Sequence, residues 1–548
     1  IIHIIEDEWR LYSIDLKVDK NSQLDILDTI RVKQIIVPVD DIWIVKDQLI
    51  SISLGLFGFK VHGDFIQIFT DYSFNYDSKK AFNKYTIEYQ DDALKKEIPY
   101  WDSMRPVPLL EEEIKDYVKK DSIAKVDKIK KDSLSKVAYK NTFLKIIGKG
   151  FQKNFNDSTK FFTSPILSLK SINWNTVEGL NYKYDFNFRK IISKDIVFNN
   201  QLKLRYGFWN NHLNGKWNSS YSWGKTNKST INIGFGKSIF QYDNSNPVSE
   251  LANSVSTLIY SRNHLKIYQA YFAKIKYAKK FVNGFSFQVN GEYQDRIAID
   301  NSTFFSFDKR PERFTKNFPQ TLGSLKTMNH QAITSNFSFS YQGGRHYIKY
   351  PDRIYSSPSN QPTFSFIFSK GWQILGSDVN YEKWKFSVED DLNLNMYGKF
   401  FYNISCGGFL RNKQSFIQDF NHFIGNQFFK ASDYLTSFHM MPFYIKSNTE
   451  KFYTEAHVEH HFYGLGTNKI PGFRKWKYYL VASSNAMFIN NNNFYIEYAL
   501  GLENLGFKQF RFFRLDAVMS QTDFRKTIYG LRLGFNSSFI SFGDSNEN

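Results

Sequence analysis

The 548-residue chain is 18% aromatic, with 55 Phe and 34 Tyr, yet its mean hydropathy is −0.45, so abundant aromatic surface sits in a hydrophilic average. No run of about 18 apolar residues occurs, which excludes helical membrane spans. The single cysteine, Cys406, excludes an internal disulfide framework, and the net charge of +18 points to anionic partners.

Residues 1–90 read as short strands between polar turns: Trp9–Val18, Ile30–Val39, Ile50–Phe59 and Gly63–Phe74 are rich in Ile, Val, Leu and Phe. They predict a small β domain. Pro99, Pro106 and Pro108 mark an irregular connector, assigned to 91–155. Within it, Leu110 to about Lys140 carries Ile114, Val118, Ile123, Val126 and Ile129 at helical spacing, which predicts a charged linker helix with one solvated side. The chain begins at Ile1 and shows no signal peptide, and the expectation is that a signal and some upstream sequence either were removed or lie outside this sequence.

From 156 to 548 the pattern changes to period two. Tyr182, Tyr184, Phe186 and Phe188 alternate with Lys183, Asp185 and Asn187; Phe285, Phe287, Val289 and Tyr293 alternate with Ser286, Gln288, Asn290 and Glu292. Successive strand side chains point to opposite faces, so each run has one apolar and one polar face. The runs are about ten residues long, aromatic on the apolar face, and continue for nearly 400 residues, which suits a transmembrane β-barrel better than a sandwich. The fold class predicted is all-β: an antiparallel barrel of about sixteen strands behind an N-terminal periplasmic β domain. The strands fall near 166–173, 180–190, 197–207, 212–223, 229–241, 264–279, 284–297, 332–342, 361–371, 382–396, 398–410, 450–463, 474–488, 493–503, 509–520 and 526–538.

Long connections fall at 242–263, 298–331, 344–360 and 411–449. With the first strand leaving the periplasm, all but 344–360 lie outside the cell. The 242–263 loop predicts a short helix capped by Ser245 or Asn246, with Pro247 in its first turn and Leu251, Val255 and Leu258 on one side. Gly530, Leu533 and Phe535 have the spacing of a barrel-closing strand.

For chemistry, Glu455, His457, Glu459 and His461 share one strand face and form a candidate metal set, against the plainer reading of a hydrogen-bonded polar lumen face. Lys309, Arg310, Arg313 and Lys316 are candidate lipopolysaccharide contacts, against the plainer reading of a solvated loop. No Walker loop, Gly-x-Ser-x-Gly, dinucleotide fingerprint or Cys-x-x-Cys pair is present, and no cofactor is expected. Nucleic acid is not an expected partner, because the basic residues are dispersed and no nucleic-acid-binding motif occurs.

Several stretches carry a resemblance. They are Ile98-Pro-Tyr-Trp-Asp-Ser-Met-Arg-Pro-Val-Pro-Leu109 followed by Glu111–Glu113 and Lys120-Asp-Ser122, then Asn175-Thr-Val-Glu-Gly179 and Asp295-Arg296 before Asn301-Ser-Thr303. Further on come Phe420–Asn426, and Glu459-His-His-Phe462 with Asn468-Lys-Ile-Pro471. In order and spacing the chain resembles an uncharacterised Bacteroidota outer-membrane family, whose members commonly carry a carboxypeptidase-regulatory-like domain upstream. The resemblance implies a barrel in the outer membrane of a Gram-negative bacterium. More distantly the chain is similar to the Omp85 barrel superfamily, in which a long sixth external loop folds into the lumen. Here that loop is 411–449, and His422, Phe423, Gly425 and Asn426 are its candidate lumen motif, although it has no Arg-Gly-aromatic tip.

The functional expectation is a non-enzymatic barrel in envelope biogenesis or protein export, working with outer-membrane lipid and other envelope proteins in a larger complex. The alternatives are a diffusion channel or nutrient-uptake accessory, and a barrel-embedded lipid A-modifying enzyme.

Overall fold

A computed structural model describes residues 1–19, 27–56, 59–72, 74, 85–90, 92, 96–109, 111–136, 143–168, 170–224, 227–319, 328–345, 347–350, 354–356, 359–490, 493–507, 510–522 and 526–535. The expected ends of the linker helix (137–140) and of the closing strand (536–538) lie outside these residues, as does 320–327 of the 298–331 loop. The chain divides into two compact units: 1–118 with 506–511, and 119–505 with 512–548.

The first unit contains an antiparallel meander of β1 (Ile2–Ile5), β2 (Arg10–Asp19), β3 (Leu27–Val39), β4 (Ile42–Leu56) and β5 (Phe59–Ile68) in sequential order. Residues 50–56 of the expected run Ile50–Phe59 are the second half of β4. The missed signal is the β3–β4 hairpin at Asp40 and Asp41, which both take positive φ (47° and 64°), a two-residue turn whose twist matches the strands it joins. A further short strand, β6 (Tyr85–Glu88), ends the 1–90 region, and the connector carries α1 (Ile98–Met104), followed by α2 (Glu111–Lys136). Helix α2 is the expected linker, but Ile114, Val118, Ile123 and Val126 are all exposed, so its apolar stripe is solvated along with its charges.

In the second unit, α3 (Phe143–Lys149) precedes β7 (Gln152–Asn156), a strand inside the stretch read as connector. The barrel continues through β8 (Thr159–Thr163), β9 (Ile172–Asn175), β10 (Gly179–Ser193), β11 (Ile196–Gly207), β12 (His212–Trp223) and β13 (Lys228–Gln241). After α4 (Glu250–Tyr260) come β14 (Ile267–Lys280), β15 (Phe285–Ile297) and β16 (His330–Gln342). A small hairpin, β17 (Tyr347–Lys349) and β18 (Ile354–Ser356), occupies the 344–360 connection. The wall resumes with β19 (Thr363–Trp372), β20 (Asn380–Asn393), β21 (Lys399–Gln414) and β22 (Tyr453–Tyr463). It finishes, after α5 (Pro471–Trp476), with β23 (Tyr479–Asn490), β24 (Asn493–Phe507), β25 (Phe510–Thr522) and β26 (Lys526–Phe535). The seam of the barrel lies between β26 and the β7–β9 segments.

Fifteen of the sixteen expected strands have a counterpart; the first, 166–173, does not. Strands β8 and β9 lie end to end along β10, Thr159–Thr163 beside Lys190–Phe186 and Ile172–Asn175 beside Tyr182–Gly179, and together form one stave. The chain leaves the sheet between them at Pro165, which has no N–H for the ladder. Ile166 and Leu167 donate instead to the α3 carbonyls of Ile146 and Ile147. With this stave the expected sixteen are present, and β7 is an addition.

Strand alternation puts the long connections 242–266, 298–329 and 415–452 at one end and the β17–β18 hairpin at the other. The 242–263 helix is α4, but its cap is Ser249, whose side chain accepts from Ala252 N–H. Its orientation is also the reverse of the usual one. Leu251 and Val255 are exposed, while Asn253, Ser254, Ser256 and Thr257 are buried. The wall it packs on is polar, so the polar side of the helix turns inward. Ser254 Oγ accepts from Trp174 N–H and Leu265 N–H donates to Asn253 Oδ1.

Candidate functional site

Along β22, Tyr453, Glu455, His457, Glu459 and His461 are buried and alternate with more open residues, as expected of a lumen face. They do not converge on one point. Residues two apart on a strand are about 7 Å apart, so four in a row are spread too widely for ligand bonds near 2 Å. The imidazole nitrogens are also engaged. His457 meets Asn485 Oδ1 at 2.9 Å and Glu455 at 3.1 Å, and His461 meets Glu459 at 2.6 Å and Glu503 at 2.8 Å. Among the described residues no three His, Cys, Asp or Glu are placed to hold an ion. The row is a hydrogen-bonded rail, which Arg514 extends by donating to Glu459 at 2.6 Å and to Asp516 at 2.9 Å.

The connection 415–452 lies against this inward face. Asp419 pairs with Arg296 of β15 at 3.0 Å and accepts from Tyr381 of β20. Lys383 donates to the Asp419 carbonyl, and Arg532 of β26 to that of His439. Glu497 of β24 accepts the backbone N–H groups of His439 (2.6 Å) and Met440 (2.5 Å). Tyr434 donates to Asp516 at 2.7 Å, and the Arg514 guanidinium stacks 3.6 Å from its ring centroid. The long loop is therefore a plug, bonded to strands on several sides of the lumen. His439 is completely buried at its centre, and neither ring nitrogen has a hydrogen-bond partner among the described residues. Burial, with Arg514 beside it, pushes this imidazole down to about 3.

The expected lumen motif shapes the plug. His422 bridges Ser447 Oγ and the Ile417 carbonyl, both at 2.7 Å. Phe423 is buried with Phe438, Met441, Tyr453, Met487, Ile489 and Tyr495. Gly425 leaves no room for a Cβ against the Met441 carbonyl, and Asn426 bonds Met441 and Lys430.

A second junction joins the stretches around 175 and 301. Ser302 and Thr303 donate their backbone N–H groups to Thr176 O, and Thr176 Oγ1 donates to Asn301. Behind this turn Glu178 is fully buried and gripped by Arg205, which also reaches Glu250 of α4 at 2.9 Å. Burial opposes the charge of Glu250, but Arg205 and Lys183 hold its carboxyl down to about 2. This ionic cluster was not singled out in the sequence, because its members come from four separate elements.

The closing strand pairs antiparallel with β25, and Phe535 packs on Phe512 and Phe513. Gly530 and Gly534 face the plug: a methyl at the first would overlap Met440 and at the second Tyr434. Leu533 donates its N–H to Phe429 O and accepts from Ala431 N–H, a single parallel bridge between the plug and β26. Of the four loop cations, Arg310 and Arg313 share one carboxylate. Arg310 is committed to Asp308 in a paired hydrogen bond, Arg313 stands 3.6 Å from the same carboxylate, and Lys316 offers its carbonyl to Lys266.

No curated protein is significantly similar to the chain. Among solved structures it is similar to BamA from Haemophilus ducreyi lacking POTRA domains 1–3, with 9% identity over 68% of this chain and 70% of that one and a TM-score of 0.34. It is also similar to CdiB from Acinetobacter baumannii (10%, covering 64% and 54%, TM-score 0.31) and to a mutant Rh. blastica porin (8%, covering 64% and 89%, TM-score 0.27). The profile of the family of unknown function DUF5686 matches residues 1–72, and that of its C-terminal domain matches 143–502. With the larger part of its length matched, the chain belongs to the DUF5686 family.

Proposed function

We propose that this protein is a plugged outer-membrane barrel, distantly Omp85-like, which serves envelope biogenesis or protein export without catalysing a reaction itself. It works with other envelope proteins, and its N-terminal unit lies in the periplasm. The observation that carries the reading is the 415–452 plug: its hydrogen bonds to five or more lumen-facing strand residues fill space that a diffusion channel needs open. The outward belt of exposed aromatic and aliphatic residues, among them Phe235, Tyr271, Phe339, Phe364, Tyr498 and Leu531, supports a lipid environment for the barrel. The charged and polar lumen supports the outer membrane, where barrels of this kind occur.

Depletion of the protein in its native host, followed by quantitative proteomics of isolated outer membranes, tests the role. Loss of a defined set of other outer-membrane or surface proteins is expected. An outer-membrane proteome that stays the same apart from this chain sinks the proposal.

A further inference from the structure

At the end of the barrel that carries the long loops, three segments distant in sequence enclose a cavity of about 290 Å3. They are residues 262–266 leading into β14, residues 313–319 of the β15–β16 connection, and Gln427 with 442–444 of the plug. Arg262, His264, Lys266 and Arg313 all line it, and among the described residues no Asp or Glu does. Lys266 is 7% exposed. Its ammonium donates to Thr315 Oγ1 at 2.6 Å and to the Lys316 carbonyl at 2.7 Å, which fix its place without cancelling its charge. Arg313 lies 3.6 Å from Asp308, but that carboxylate already serves Arg310.

A buried ammonium without a carboxylate is an expensive arrangement. Burial accordingly pushes Lys266 down to about 7, and burial with Lys266 and Arg262 nearby pushes His264 down to about 4. An incoming anion would relieve both. The remaining lining has an apolar part, Phe318, Pro319, Pro442 and Phe443, beside the polar Asn263, Thr315, Gln427 and Tyr444. Such a surface accepts ring carbons, while guanidinium groups match phosphate oxygens two at a time.

We propose that this cavity binds a phosphorylated sugar, with Arg262 and Arg313 on the phosphate and the apolar wall against the ring. Lys266 supplies fixed positive potential from below. The phosphate belongs either to a glycolipid headgroup in the surrounding leaflet or to a soluble sugar phosphate. The site is independent of the plug's role in biogenesis or export.

The test uses the full chain in detergent at about 0.15 M salt, where weak surface attraction is screened. Glucose 1-phosphate and glucose are titrated by calorimetry, and lipid A and phosphatidylcholine, each in mixed micelles of the same detergent, are titrated in the same way. Saturable binding of glucose 1-phosphate but not glucose supports a soluble ligand. Binding of lipid A alone supports the headgroup. In either case the Arg262→Ala, Arg313→Ala double variant is expected to bind at least tenfold more weakly, while Lys194→Ala, in the β10–β11 turn at the opposite end of the barrel, stays within about twofold of the parent. Both arginines are exposed, so the double variant is expected to fold, and its heat-modifiable gel shift checks this. Absence of saturable binding to any phosphate probe, or equal binding by the folded double variant, overturns the proposal.

Discussion

Gly530 and Gly534 show how far single residues on the closing strand are tied to the plug. Their missing side chains make room for Met440 and Tyr434 against the backbone of β26. The two neighbours differ in freedom. Met440 is a flexible side chain that can swing aside. Tyr434 is pinned between Asp516 and the Arg514 guanidinium. Gly534→Ala is therefore expected to cost about 1–3 kcal/mol of overpacking, and Gly530→Ala clearly less. Denaturant titration of the folded barrel, followed by loss of the heat-modifiable gel band, measures both; equal effects contradict the pinned-tyrosine account. The sequence made Gly530 legible only as part of a closing-strand pattern. Its contact lies with Met440, ninety residues earlier in the chain, and no local spacing carries that information.

At the scale of elements, the plug is held by charged groups on opposing strands, and its centre carries a buried imidazole. His439 faces Arg514, Glu459, Arg532 and His457, and Tyr434 packs on its ring. A ring held down to about 3 in the docked loop takes up a proton more readily once the loop is released, with an ordinary value near 6.5. The released state then binds more protons, so docking is strongest above about pH 6.5 and weakens as the pH falls from there toward 3. Limited proteolysis of residues 415–452 is expected to accelerate between pH 7 and pH 5, and His439→Gln to flatten that dependence relative to the parent. An identical pH profile in the variant removes His439 from the account. Strands were the legible elements, because alternation is local: the β22 face appears in the order in which it was read. What broke the reading was equally physical. Pro165 divides the first stave, and α4 turns its polar side inward because it packs on a polar wall rather than on an apolar core.

At the scale of the whole molecule, the alternation of apolar and polar faces gave the barrel, while the state of its lumen depended on contacts between residues more than a hundred positions apart, such as Arg296 with Asp419. Removing one partner of such a buried pair typically costs about 3–5 kcal/mol, so several anchors together are enough to keep the plug seated. In planar bilayers the parent protein is expected to conduct little, and a variant with 419–447 replaced by a short Gly-Ser linker to conduct severalfold more. A parent that conducts as freely as the loop-deleted variant contradicts a seated plug. The parallel bridge between Leu533 and residues 429–431 ties the plug to the closing strand. Residues 429–431 thereby bond to the backbone of the wall itself as well as filling the space inside it. The closing strand draws hydrogen bonds from the plug, so lumen and wall are not separable parts: unseating the plug also leaves Leu533 without two backbone partners.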